Sequence, residues 1–242
     1  MCYNISLLNP EYYKHYESIL SFYDNEKLAE PVYYRNAFTL PIHPVIANSE
    51  PIRIQEFYWG LIPFWVKTES DAENIRMKTM NARAESIFEK PSYRLAIMKR
   101  RCLIPADGFF EWRYYKGKNY PYYIHMKNHQ IFSIAGIWEV WTHPETKEGM
   151  YTFSIITCEA NRLLEKIHNK KKRMPVILPV EKENEFLNHD LSRSEINALL
   201  TPIDDECLEA YSISKRITSK TKNRNDPKVI EAYDYKELPS LD

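Results

Sequence analysis

The sequence predicts an α+β fold with a mixed, mainly antiparallel β-sheet or barrel-like core and peripheral helices. Three observations carry this expectation. Apolar, β-branched and aromatic runs follow one another without regular intervening helices, and the helical stretches are short and few. The chain has only five glycines, and none falls in a dinucleotide-binding or P-loop signature. A doubly wound parallel sheet would instead alternate strands with helices of similar length.

Taken in chain order, residues 11–23 set Tyr12, Tyr16, Ile19, Leu20 and Tyr23 at three- and four-residue spacings behind an Asn9-Pro10 turn signal, which reads as an amphipathic helix. Residues 52–59 read as a strand and 82–90 as a short helix. Strands follow at 101–105, 120–126, 131–138 and 151–157, rich in Ile, Val, Phe, Tyr and Trp. Segment 159–167 puts Leu163, Leu164 and Ile167 on one helical face, and 174–178 is again strand. The last helix, 192–200, opens on Ser192 with Glu195 three residues later, a capping box. No Gly/Ser/Pro linker or internal repeat divides the 242 residues, so one domain over 1–242 is expected, with a loose tail from about residue 225.

The 33 basic residues balance 33 acidic ones, so any nucleic-acid surface must be a local patch. Cys2, Cys102, Cys158 and Cys207 are scattered, with no CxxC or Cys/His ligand spacing, and suggest neither zinc nor a disulfide framework. No metal and no cofactor is expected. Without a signal-like apolar segment after Met1 or a run long enough to span a bilayer, the expectation is a soluble, cytoplasmic protein with reduced thiols and no membrane partner.

Cys2 directly follows Met1. Removing Met1 would leave a free α-amine and a thiol on adjacent carbons. An α-amine titrates near ~7.7–8.0 and a thiol near ~8.5, so both nucleophilic forms are expected at neutral pH without special tuning. Such a 1,2-aminothiol condenses with an aldehyde to an imine, and the thiol then closes a thiazolidine far more durable than the imine.

Three further stretches stand out. Trp59-Gly60-Leu61-Ile62-Pro63-Phe64-Trp65, with Asn81-Ala82-Arg83-Ala84-Glu85 beyond it, joins aromatics able to stack bases to an arginine able to hold phosphate. The run from Arg100 to Trp112 passes through an apolar strand to Glu111 between Phe110 and Trp112; an apolar setting raises a carboxyl pKa and suits proton transfer near neutrality, and the alternative is a strand glutamate facing solvent. In the third, His168 at a helix end precedes Lys170, Lys171, Lys172 and Arg173 and then an apolar strand. It reads as a general acid/base or as a helix cap.

Met1-Cys2, the 81–85 and 100–112 stretches, Trp138-Glu139, Thr157-Cys158-Glu159-Ala160-Asn161, and His168 with Arg173-Met174-Pro175-Val176-Ile177-Leu178 together resemble the SOS response-associated peptidase (SRAP) family, in family order from residue 2 to about 230. The resemblance implies a protein that shields abasic sites in single-stranded DNA by covalent attachment through Cys2 after autoproteolytic loss of Met1, with lyase-like chemistry at the site. It further implies that Asn81 orients the amine or imine, that Glu111 and His168 move protons, and that Arg83 and Trp65 line the DNA path. The lysines 170–172 and Arg173 are expected to add phosphate contacts. Two departures are visible. Cys2-Tyr3-Asn4 replaces the common Cys-Gly-Arg, and the spacing from His168 to Arg173 is longer than usual.

Two other classes compete. An N-terminal-nucleophile cysteine amidohydrolase or glutaminase also begins on a processed cysteine, and predicts amide hydrolysis. A plain single-strand binding module would leave Cys2 inert.

Overall fold

Strand pairing closes a barrel at the centre of the computed structural model, which describes residues 2–21, 30–219 and 221–241. The strands are β1 (Asn4–Leu7), β2 (Val32–Asn36), β3 (Ile42–Ala47), β4 (Ile54–Trp59), β5 (Asn81–Arg83), β6 (Arg101–Ala106), β7 (Gly108–Tyr115), β8 (Lys118–Met126), β9 (Phe132–Thr142), β10 (Gly149–Glu159), β11 (Arg173–Pro175), β12 (Ile177–Leu178) and β13 (Leu208–Ser212). The helices are α1 (Glu69–Arg76), α2 (Arg94–Lys99), α3 (Arg162–Ile167), α4 (Val180–Leu187) and α5 (Arg193–Leu199).

The ring runs β10-β4-β3-β6-β9 and returns from β9 to β10; every junction is antiparallel except β10–β4. Closure removes the free edges that would otherwise expose unpaired backbone groups. Inside it, Gly136 lets β9 pass close to its neighbours, because a Cβ there would meet Ile104 Cδ1 at 2.6 Å and Cys102 Sγ at 2.9 Å. A second, wholly antiparallel sheet has the order β13-β8-β7-β1-β2. Its β1 and β7 carry the chain start and Glu111. Between the layers lies one large apolar cluster that includes Cys2, Ile5, Phe109, Ile124 and Ile134.

The Arg100-Arg101 start of the third barrel strand serves this architecture. Arg101 is fully buried, and its guanidinium donates to the carbonyls of Phe186 at 2.7 Å, Ile97 at 2.8 Å and Met98 at 3.0 Å, and to that of Asn188. A buried cation needs such partners. Here they tie α2 and α4 to the barrel, while Arg100 pairs with the largely buried Glu139 at 2.7 Å.

The strands expected at 52–59, 101–105, 120–126, 131–138 and 151–157 all form, several of them longer than expected, and 174–178 divides into β11 and β12. Helices α3 and α5 form where expected, and Ser192 and Glu195 make the reciprocal capping box. Two expected helices do not form. Residues 11–23 give only a 3-10 turn at Tyr12–Tyr16; Tyr12 and Tyr16 still bury their rings, but Ser21 donates its N–H to the Ile52 carbonyl at 2.9 Å, which draws the chain out of the helical path. Positions 22–23 lie outside the described residues. Segment 82–90 begins instead as β5, whose residues pair in parallel with Ile155, Ile156 and Thr157 of β10, and continues as a 3-10 turn at Ala84–Ser86. Local propensity yields there to a ladder supplied by a distant strand. Beyond residue 225 the chain is docked rather than loose: Val229 is fully buried, Tyr233 exchanges bonds with Ser212, and the Tyr235 hydroxyl donates to the Ile213 carbonyl at 2.9 Å.

Candidate active site

Antiparallel pairing of β1 with β7, fixed by Ile5 opposite Phe109 and Ser6 opposite Gly108, carries the residues before β1 toward Glu111. Cys2 is fully buried there, with its Sγ 3.9 Å from the Asn4 carbonyl. Burial pushes the thiol well above its ordinary pKa, and the Glu111 carboxylate adds to the effect. The expected untuned thiol is therefore corrected: while enclosed here, Cys2 is held as S–H.

Glu111 is 4% exposed. Burial lifts its pKa to about 7, against the pull of Lys171. The apolar cause expected from its neighbours holds, but the neighbours differ. Side chains alternate along a strand, so Phe110 and Trp112 turn to the opposite face and pack with Tyr123, Ile213 and Ile217. The face that buries Glu111 is shared instead with Phe109 and the main core.

His168 follows α3, which Asn161 caps by accepting from the Leu164 N–H at 2.9 Å. Its Nδ1 donates to the Arg173 carbonyl at 2.8 Å, so in the neutral ring Nε2 holds the lone pair. That Nε2 stands 3.7 Å from Glu111 Oε2. Burial, reinforced by the Lys171 and Arg173 charges, lowers the His168 pKa to about 4. The usual order of a carboxylate and an imidazole is thus inverted. Between about pH 4 and about pH 7 a neutral acid faces a neutral base, so one group can give a proton while the other takes one.

A groove of about 1020 Å³ has a lining that includes Trp65, Asn81, Arg83 and Tyr93, whereas Cys2, Glu111 and His168 are not among its lining residues. Asn81 comes from β5, is 8% exposed, and neither its amide nitrogen nor its amide oxygen has a hydrogen-bond partner among the described residues. A buried amide left in that state is costly, which makes Asn81 a candidate to receive an incoming group. Arg83 is exposed two residues further along β5, and Trp65 is 45% exposed. The tight turn that delivers Trp65 depends on Gly60, with φ of 100° and no room for a Cβ beside the Arg76 carbonyl. Within the 59–65 aromatic run the roles divide, since Trp59 is buried and donates Nε1–H to the Met80 carbonyl at 2.9 Å.

The basic loop after His168 does not line this groove. Lys170 Nζ sits 3.5 Å from the centre of the Tyr114 ring, Lys172 pairs with Glu165 at 3.4 Å, and only Lys171 acts on both Glu111 and His168. Arg173 is internal to the fold: it donates to Glu85 at 2.6 Å and to the Thr157 carbonyl at 2.6 Å, clasping the end of β5 against β10. The expectation of a phosphate contact from Arg173 meets a guanidinium already occupied by these partners.

Sequence reasoning missed three contributors. Tyr3 is half-buried; burial and Glu111 raise its pKa while Arg83 opposes them, which puts the phenol within electrostatic reach of both the Cys2 region and the groove. Tyr93 donates its hydroxyl to the Asn81 carbonyl at 3.2 Å and fixes β5 from the groove side. Asn169 locks the loop carrying His168 onto β7 through the backbone of Tyr114. Of these, Tyr3 and Asn169 lie beside residues singled out in the sequence, Cys2 and His168, and Tyr93 does not.

The family model described as SOS response associated peptidase (SRAP) matches residues 1–220. The chain is 40% identical over 202 residues to the abasic site processing protein YoqW of Bacillus subtilis, a match covering 83% of this chain and 86% of that protein. It is 35% identical over 219 residues to the abasic site processing protein YoaM of the same organism, covering 87% and 92%. A crystal structure of a protein from Bacteroides thetaiotaomicron superposes with a TM-score of 0.85 at 43% identity, over 96% of this chain and 100% of that one.

Proposed function

The chain belongs to the SOS response associated peptidase (SRAP) family, and from that premise we propose that it processes abasic sites in DNA, attaching covalently to the single strand through Cys2 once Met1 has been removed. The observation that carries this reading is the Glu111–His168 pair, 3.7 Å apart, close to a buried Cys2 thiol on which ionised Glu111 acts electrostatically. Hydrolysis of the Met1–Cys2 peptide consumes one water and frees the α-amine. The amine adds to the C1 aldehyde of a ring-opened abasic sugar, water leaves, and a C=N bond remains. The Cys2 S–H then adds across it, sulfur to carbon and proton to nitrogen. The net reaction of amine, thiol and aldehyde releases one water.

A thiol held as S–H favours an order in which the amine attacks first. The ring closes only after the imine has formed, with Glu111 positioned to relay the proton. His168 Nε2 accepts from the sugar hydroxyl as the abasic ring opens. The unpartnered amide of Asn81 orients the amine or imine from the groove side. Trp65 stacks a base and Arg83 holds phosphate along the groove, with Lys170, Lys171 and Lys172 supplying positive charge at the His168 side.

Incubation with a single-stranded oligonucleotide bearing one abasic site, followed by a denaturing gel, tests the proposal. The expected result is a shifted band that survives boiling in detergent and is absent for Cys2→Ala. A shifted band of equal yield from Cys2→Ala overturns it. Glutaminase activity without a band would favour the amidohydrolase class.

A further inference from the structure

We propose that His125, His129 and Glu209 form a zinc-class divalent metal site, outside the Cys2 region and unrelated to its chemistry. One donor atom from each of the three lies within 4.8 Å of the others. The three come together because β8 and β13 pair with His125 opposite Glu209, so both side chains project from the same face of the sheet. His129 is added by the turn after β8. Its N–H donates to the Met126 carbonyl at 2.9 Å, and a left-handed backbone, φ 53°, swings its ring onto that of His125, centroids 4.5 Å apart and 14° from parallel.

The orientation of His125 is what a metal ligand requires. The ring is 4% exposed, and Nδ1 donates to the Met126 carbonyl at 2.8 Å, which leaves the Nε2 lone pair as its coordinating atom. A metal-bound imidazole is ordinarily fixed through its other nitrogen in this way. Among the described residues no ion pair joins Glu209 to either ring, so its carboxylate is not taken up by an imidazolium. Zn–N and Zn–O bonds of about 2.0–2.2 Å set donors roughly 3.3 Å apart in a tetrahedron. His129 and Glu209, both exposed, can close the remaining distance by side-chain rotation, while the buried His125 stays fixed. Three protein donors leave a fourth position for water. Along β7 the site lies opposite Gly108, the partner of His125, three rungs from Glu111, whose partner is Tyr122. A bound cation there would staple the last strand, β13, to the sheet that carries the chain start.

Full-length protein treated with a chelator and dialysed is titrated with Zn²⁺ by calorimetry, and with Co²⁺ by visible absorption. The expected result is one equivalent bound, tetrahedral Co²⁺ bands, and a melting temperature raised by about 5 °C at Zn²⁺ a hundredfold above its Kd. His129→Ala and Glu209→Gln, both surface changes, should each weaken binding more than about 100-fold, since losing even an outer-shell partner costs 10–100-fold. Cys2→Ala and Cys207→Ala should bind as the parent does. Absence of binding by the parent, equal binding by the His129 and Glu209 variants, or loss of binding in a cysteine variant each overturns the assignment.

Discussion

Asn169 holds the backbone of Tyr114 at both ends: its Oδ1 accepts from the Tyr114 N–H at 3.0 Å and its Nδ2 donates to the Tyr114 carbonyl at 2.8 Å. Because Asn169 is the next residue after His168 and Tyr114 lies on the strand of Glu111, this pair of bonds ties the segments that carry Glu111 and His168 together. Asn169→Ala should cost about 1–2 kcal/mol of stability, two net hydrogen bonds at a partly exposed position. It should also slow adduct formation more than that loss of folded protein explains. Chemical denaturation alongside a gel time course reads both; an unchanged rate at full folding would separate Asn169 from the site.

Cys2→Ala should remove stable crosslinking and leave the fold intact. Cys2→Ser should yield at most a labile adduct, because the hydroxyl closes a weaker ring. Mass spectrometry of the wild-type adduct should show Met1 absent and a mass one water below the sum of the Met1-free chain and the oligonucleotide. A thiazolidine on a chain that retains Met1 would contradict the mechanism.

Glu111→Gln and His168→Ala should each slow the reaction by about 10²–10⁴-fold, the usual contribution of a general acid or base. Glu111→Gln should affect formation and reversal, whereas His168→Ala should act chiefly on steps that need an open sugar. Time courses with a competitor chase distinguish the two.

The pair also shapes stability against pH. The folded pKa of Glu111 is raised to about 7 from 4.5, so the folded state binds more protons than the unfolded chain across that interval. Its contribution is fully present below the unfolded value and is lost as pH rises through about 7. His168 is depressed to about 4 from 6.5, so its contribution is present above the unfolded value and is lost as pH falls toward about 4. The two opposing slopes largely offset each other between about pH 4.5 and 6.5, so Glu111→Gln should unmask a rise of the urea midpoint with pH over that interval. An identical pH profile for the variant would mean that the carboxyl is not held protonated.

Arg83→Ala should reduce the salt dependence of single-strand binding by less than one unit of slope, each neutralised phosphate contributing about −0.7. It should also slow crosslinking through weaker capture. Binding of wild-type protein that ignores salt would argue against phosphate contacts in the groove.

The site residues legible in the sequence fall into two groups. Trp65, Asn81 and Arg83, separated in sequence but forming one aromatic-plus-arginine motif, do line one groove. Glu111 and His168 read as separate proton carriers, and their mutual approach is invisible along the chain, since the bonds that tie their segments together pass through Asn169 and Tyr114. Strands β1, β2, β3 and β13 escape a pattern-based reading because each is short or interrupted by polar residues and depends on partners far along the chain. Helix α1 is legible in principle, as Thr68 caps it by accepting from the Asp71 N–H.

Neighbours along the chain dictate the covalent and periodic part of the protein: Cys2 behind Met1, the succession of apolar runs that makes a mainly antiparallel α+β core, and the capping box of α5. Which groups share an environment is settled by tertiary packing alone. It placed Glu111 on the face away from its flanking aromatics, raised that carboxyl and lowered His168, kept the Cys2 thiol protonated, turned 81–83 into a strand, and brought Glu209 to the two histidines of the β8 end. The cause is that desolvation and strand pairing act between surfaces contributed by distant segments. No window of sequence contains both sides of such a contact.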